Sequence, residues 1–273
     1  MDNGSMQVIG LCRVSYPAIG GFQVTHDNIS EREAYLYAPE RMEARFRSFE
    51  TFTLPCLRAQ TDPDFTLVVV VGERLPRRWR DRLEVMLADL PQAVLQAHPP
   101  GRHRDVMKAA INAVREPRGG PCLQFRLDDD DAVALRFVER LRAAAHDIGP
   151  LLRKNRYVGI DFNQGFVARA GAEGLSVSPV VETLWTPALS VAVKPGASRG
   201  VMNFSHAKLA RVMPVVSLTG EYMYVRGYND HNDSRQKPGV KTPRLSLLDD
   251  EGEIFFRDTF NIDAARVRAA YAA

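Results

Sequence analysis

Residues 123–132 read Leu-Gln-Phe-Arg-Leu-Asp-Asp-Asp-Asp-Ala. Leu123 to Leu127 has the apolar character of a strand buried in a sheet, and it runs directly into Asp128-Asp129-Asp130-Asp131. Four carboxylates in a row repel one another unless something cationic lies among them. Residues two apart on an extended segment project to the same side, so Asp128 and Asp130 are expected to aim at one point. Asp129 and Asp131 share the opposite face. Two convergent carboxylates with room for water suit a hard divalent cation, Mn²⁺ or Mg²⁺. Such a cation can bridge the phosphates of a nucleotide diphosphate and neutralise the charge that develops as the diphosphate departs. Acids ahead of a helix also cap its free N–H groups and complement its dipole, a role that Asp131 suits as well.

Outward from this stretch, strands and helices alternate. Gln7 to Val14 reads as a buried strand, and Phe65 to Val71 as a β-branched one closed by Gly72. Between them Pro39 occupies a first helical position, and Met42, Phe46 and Phe49 mark one apolar face of a helix that Pro55 should end or kink. Pro76 opens another helix, with Trp79, Leu83, Met86 and Leu90 at the same spacing. A short strand from Ala93 to Gln96 and a helix from about Asp105 to Val114 follow; beyond the aspartates comes a helix carrying Phe137 and Leu141. The pattern predicts an α/β fold, a mostly parallel sheet flanked by helices, whose ligands gather beyond the carboxyl ends of the strands. The four aspartates lie at one of those ends.

The remainder has a different texture. Tyr157 to Ile160, Gly165 to Arg169, Leu175 to Val181, Ala188 to Val193 and Pro214 to Thr219 are short strand-like runs separated by Gly, Pro and Asn, which predicts a mixed, more antiparallel second half. Tyr222 to Arg226 is expected to pair with one of them, the stretch Tyr228 to Lys241 is polar, and Asp263 to Tyr271 reads as a closing helix. One domain over residues 7–273 is expected, divided softly near residue 148 into a nucleotide-type half (7–148) and a second half (149–273). Gly4-Ser5-Met6 resembles a cloning scar ahead of a native Met6, so residues 1–5 are set aside.

Other residues offer anion-binding or acid–base chemistry. Arg13 and Ser15 end the first strand ahead of Gly20-Gly21, placing a guanidinium and an adaptable loop on the same sheet edge as the aspartates; a plain solvated turn would look the same. Arg102 and Arg104 flank His103 before a helix N-terminus, which is either a phosphate corner or a charged loop. In the polar stretch, His231 could complete a carboxylate metal shell and Arg235 could meet a diphosphate, although Asn- and Asp-rich loops are common without any ligand. A catalytic base is sought among second-half carboxylates. Asp161 and Glu182, the latter near Trp185, qualify, and each is equally compatible with a loop salt bridge. His206 is expected only to cap or pack.

Composition narrows the function classes. The 273 residues carry 36 Lys and Arg against 33 Asp and Glu, a net charge of +3, with no basic stripe of the kind nucleic acid requires. The three cysteines (Cys12, Cys56 and Cys122) are far apart, which argues against a disulfide framework or zinc site and suggests a cytoplasmic setting. The longest wholly apolar run, Leu67 to Val71, is far too short to span a membrane, which leaves peripheral contact as the open membrane association.

Four stretches together resemble the bacterial putative rhamnosyltransferase family, within the GT-A glycosyltransferases. They are Arg13-Val14-Ser15-Tyr16-Pro17 with Gly20-Gly21-Phe22, the helix Arg41 to Phe52 leading to Leu54-Pro55-Cys56-Leu57-Arg58-Ala59-Gln60-Thr61-Asp62, Arg126 to Ala132, and Asn232-Asp233-Ser234. The resemblance implies a GT-A-like fold with a nucleotide-sugar-binding first half and an acceptor-side second half. It also implies a nucleotide-diphosphate sugar donor, a glycan or lipid-linked acceptor, and a divalent ion on a D-x-D motif. Asp128 and Asp130 match that motif, with Asp131 adjacent, and His231 matches a late metal ligand. Two other readings compete: a metal-dependent phosphohydrolase or nucleotidyltransferase using the same aspartates, and a non-catalytic nucleotide-sugar-binding module.

Overall fold

The strands that read as continuous apolar runs form the centre of a sheet. In the computed structural model, which describes residues 6–20, 26–117, 120–229 and 244–272, β1 (Val8–Arg13), β2 (Thr66–Gly72), β3 (Ala93–His98) and β4 (Cys122–Asp128) pair in parallel. β1 and β2 are buried along almost their whole length, as strands covered on both faces must be. The first half also forms α1 (Ile29–Leu36), α2 (Pro39–Ser48), α3 (Leu54–Arg58), α4 (Arg77–Leu87), α5 (His103–Ala113), the two-residue β5 (Ala132–Val133) and α6 (Phe137–Asp147). On one face of the sheet α2, α3, α4 and α6 pack against Val8, Cys12 and Leu127. On the other, Met107 and Ile111 of α5 pack against Ile9 and Leu11.

After α7 (Gly149–Lys154) come β6 (Tyr157–Phe162), β7 (Gln164–Gly171), β8 (Gly174–Val181), β9 (Leu189–Val193), β10 (Val215–Leu218), β11 (Tyr224–Gly227) and β12 (Ser246–Leu247), then α8 (Asp250–Phe260) and α9 (Ala264–Tyr271). The main sheet runs β10-β6-β9-β4-β1-β2-β3, and β9 lies antiparallel to both its neighbours. A second sheet runs β12-β8-β7-β11-β5. This is the α/β arrangement expected, a mostly parallel sheet flanked by helices and followed by a more antiparallel part, with one qualification. Because β6, β9 and β10 complete the first sheet, the division expected near residue 148 does not separate the two sheets. The aspartate run does connect them: it starts at the carboxyl end of β4 and leads straight into β5, at the edge of the second sheet.

Pro55 does not end its helix. α2 passes through a π-helical turn, Phe49–Thr53, into α3, and the Leu54 N–H bonds back to the Phe49 carbonyl five residues earlier. Pro55 then falls in the first turn of α3, where a missing N–H costs little. Helices α1, α7 and α8 were not expected. Asn28 caps α1, and Asp249 caps α8 through the Gly252 N–H at 2.9 Å. Phe256 and Phe260 of α8 pack around Phe166 of β7, so α8 covers the second sheet. No helix among the described residues is long and apolar enough to cross a membrane.

Candidate active site

The aspartate run does not stay extended. The Asp131 N–H bonds to the Asp128 carbonyl at 3.1 Å and closes a turn, so the side chains no longer follow the alternation that would pair Asp128 with Asp130. The four carboxylates meet different surroundings. Asp129 is fully buried and held by Arg45 of α2, whose Nε donates to Oδ2 at 3.0 Å while a second guanidinium nitrogen contacts Oδ1. Asp130 Oδ2 accepts from Asn229 Nδ2 at 2.8 Å and from Arg45 at 3.4 Å. The Oδ1 of Asp131 accepts from the Gly227 N–H at 3.0 Å, and its carbonyl accepts from Thr53 Oγ1 at 2.8 Å. A Cβ on Gly227 would run into the Asp130 carbonyl oxygen, so this approach requires glycine. Burial, together with the charges of Asp130 and Asp128, pushes the Asp131 carboxyl well above the usual carboxylate range.

Asp128 differs from the other three. It is half-buried, and its carboxylate makes no hydrogen bond or ion pair with any described residue. Burial raises its pKa, but the guanidiniums of Arg126, Arg13, Arg45 and Arg226 outweigh that and hold it below the ordinary value. Arg13 ends β1 directly opposite Asp128 in register. Its Nη1 lies 3.0 Å from His103 Nε2. A guanidinium only donates, so Nε2 accepts and the ring is neutral. Burial, followed by the charges of Arg13 and Arg126, pushes His103 down to about 3. Arg126 donates to Thr186 Oγ1 at 2.8 Å and keeps a buried Nε without a partner. The Arg226 guanidinium lies over the Trp185 ring, 4.6 Å from its centroid.

The other expected site residues are distributed unevenly. Ser15 is buried in left-handed backbone (φ 46°), and its hydroxyl accepts from Arg41 Nη1 at 3.0 Å. Arg102 and Arg104 are exposed, and it is His103 between them that reaches Arg13. Asp161 is fully buried behind the site, where its Oδ2 accepts from the Leu184 N–H (3.0 Å) and Ser217 Oγ (2.8 Å); burial raises its pKa. An acceptor hydroxyl could not reach a carboxylate so enclosed. Glu182 is exposed. His206, expected only to pack, bonds to the Leu184 carbonyl and lies within the fields of Arg126, Arg226 and Asp128. His231 and Arg235 lie outside the described residues. Sequence reasoning missed Arg45, Arg126, Arg226 and His103. One of these had a local signal: Arg126 stands two residues before Asp128 on the same strand and so shares its face.

Among the described residues no group of three or more His, Cys, Asp or Glu is arranged to hold a metal ion. The Asp128 carboxylate and the second oxygen of Asp131 nevertheless make no hydrogen bond with any described residue, and the neighbouring negative charges that, after burial, raise the Asp131 pKa are what a cation would offset. A two-carboxylate donor set of this kind fits Mn²⁺ or Mg²⁺ completed by phosphate oxygens and water.

A family profile described as "Putative rhamnosyl transferase" matches residues 7–241. No curated protein sequence matches the chain. Among solved structures, S. aureus TarS 1-349 in complex with UDP-GlcNAc aligns at TM-score 0.45 and 9% identity, over 84% of this chain and 60% of that one. A second crystal structure of S. aureus TarS 1-349 gives 0.43 and 10% over 81% and 60%. UDP-glucose pyrophosphorylase complexed with UDP-glucose gives 0.29 and 10% over 70% and 77%. The chain thus spans 60% of the length of those TarS chains.

Proposed function

Because the chain belongs to the putative rhamnosyl transferase family, we propose that it is a glycosyltransferase moving a sugar, rhamnose by the family's description, from a nucleoside diphosphate to a hydroxyl of a glycan or lipid-linked acceptor. One observation carries this reading: Arg13 lies opposite Asp128 in register and the charges of Arg13, Arg126, Arg45 and Arg226 all act on its carboxylate, yet none forms an ion pair with it. Charges of opposite sign held near one another without contact leave room for a ligand that bears both signs, such as a metal-bound diphosphate.

Arg13, Arg126 and Arg226 bind the diphosphate oxygens and stabilise the charge that accumulates as the glycosidic bond breaks. Asp128 and Asp131, with Asp130 beside them, are the residues that would hold Mn²⁺ or Mg²⁺. When bound, the ion acts as a Lewis acid on the leaving phosphate. His103 stays neutral, so it positions the Arg13 guanidinium without adding a competing charge. The test is a thermal-shift panel of UDP, GDP, dTDP and CDP, each with and without Mn²⁺. A ligand that binds only the native state raises Tm by mass action. One diphosphate should shift Tm only with Mn²⁺ present, and Asp128→Asn should abolish the shift. Absence of any shift would overturn the reading.

A further inference from the structure

We propose that His206 is the group that takes the proton from the acceptor hydroxyl during transfer. It opens the short 3-10 segment His206–Arg211 and is half-buried, with Nδ1 2.8 Å from the Leu184 carbonyl oxygen. A carbonyl oxygen only accepts, so Nδ1 carries the ring proton and Nε2 keeps a free lone pair. No described residue bonds to Nε2.

The support behind the ring is unusual. Leu184 has left-handed backbone (φ 61°), a conformation unfavourable for any residue with a Cβ. Such strain persists where the surroundings over-determine it, and it clusters at functional sites. Here the Leu184 N–H is tied to the buried Asp161 carboxylate, which Ser217 also holds, while its carbonyl orients His206. Asp161 is therefore a positioning residue, acting through one strained backbone unit on the imidazole in front of it.

The charged groups whose fields reach the ring are Arg126 and Asp128 from β4 and Arg226 from β11, all members of the candidate diphosphate site. Burial, reinforced by the two guanidiniums, lowers the His206 pKa, so the basic form is populated at neutral pH. In the step itself the acceptor O–H gives its proton to Nε2, and the oxygen forms a bond to the anomeric carbon. The bond from that carbon to the phosphate oxygen breaks, and its electron pair leaves with the nucleoside diphosphate. The imidazolium then returns its proton to water.

The inference rests on the transferase reading, and wild-type protein tests that reading first. UDP-glucose, GDP-mannose and dTDP-rhamnose are incubated with Mn²⁺ and water as acceptor, and release of nucleoside diphosphate is measured. No release from any donor by the wild type overturns the transferase reading and this inference with it. Given release, His206→Ala and His206→Gln should lower turnover by about 10²-fold or more, as loss of a general base does. The Mn²⁺-dependent Tm shift with the nucleoside diphosphate should be unchanged, and free imidazole should partly rescue His206→Ala. Turnover within about threefold of wild type would overturn the assignment, since that leaves no transition-state contact to explain. So would joint loss of turnover and Tm shift without imidazole rescue, because that would make His206 part of the binding scaffold.

Discussion

Asp128 and Asp129 are identical in chemistry and adjacent in sequence, yet their surroundings are opposite. Asp129 is sealed in, with both oxygens engaged by a single arginine. Asp128 is half-buried, within the fields of four guanidiniums and bonded to none. A buried carboxylate must be paired on the spot, because an uncompensated charge in the interior costs several kcal/mol. One that is left unpaired at a sheet's carboxyl edge is available to something else. The turn at residues 128–131 therefore divides one acidic motif into a structural anchor and a chemical group.

Breaking the anchor should have the largest effect. Arg45→Met leaves Asp129 buried and unpaired, and a loss of about 3–5 kcal/mol of stability is expected in urea unfolding; near-wild-type stability would show that the pair is dispensable. Asp128→Asn should do the reverse. Its Tm without ligand should stay near that of the wild type while nucleotide-sugar turnover falls by about 10²–10³-fold, the usual loss for one electrostatic contact to the transition state. A large Tm drop in this variant would erase the distinction between the two aspartates. Gly227→Ala, which drives a methyl group against the Asp130 carbonyl, should cost about 1–3 kcal/mol in the same unfolding assay.

The smallest expected effect concerns pH. Free histidine takes a proton below 6.5, whereas folded His103 does so only near 3. The unfolded state therefore binds more protons between those limits, and stability falls as pH drops through that window, with the full contribution present above 6.5. His103→Gln offers Arg13 a carbonyl acceptor that does not titrate, so its Tm should fall less than wild type between pH 7 and about 4.5. Parallel Tm profiles would remove His103 from this account.

Much of the fold was legible because it rests on local pattern. The β-branched run of β2 and the apolar strand ending in aspartates read as buried parallel strands, and both pair in parallel with β1. Helix α8 also carried readable signals that were passed over: the Asp249 cap, acids in the first turn, and Asn261 in left-handed conformation at the end. The site was less legible because its charges come from separate elements. Arg45 arrives from α2, Arg126 from β4 and Arg226 from β11, and only the tertiary fold makes them neighbours of Asp128. Pairing Asp128 with Asp130 assumed extended backbone, which the bond from Asp131 to the Asp128 carbonyl ends. The role of His206 depends on a backbone carbonyl 22 residues earlier, which no spacing rule anticipates.

The π turn between α2 and α3 has a consequence for how this chain tolerates length changes. A π turn amounts to one residue inserted into an α-helix, and each residue advances a helix by about 100°. Deleting one of residues 50–52 would make the bond from Leu54 to Phe49 an ordinary i→i−4 bond, restoring regular winding while the segments on either side stay nearly in phase. Arg45 lies before the turn, while Thr53, at its end, grips the same aspartate loop. The same deletion elsewhere in the helix, with no bulge to absorb it, would rotate one hold against the other by about 100°. The turn holds one residue of slack while keeping two distant clamps in phase, so a single deletion should be better tolerated within it than in the regular helix on either side.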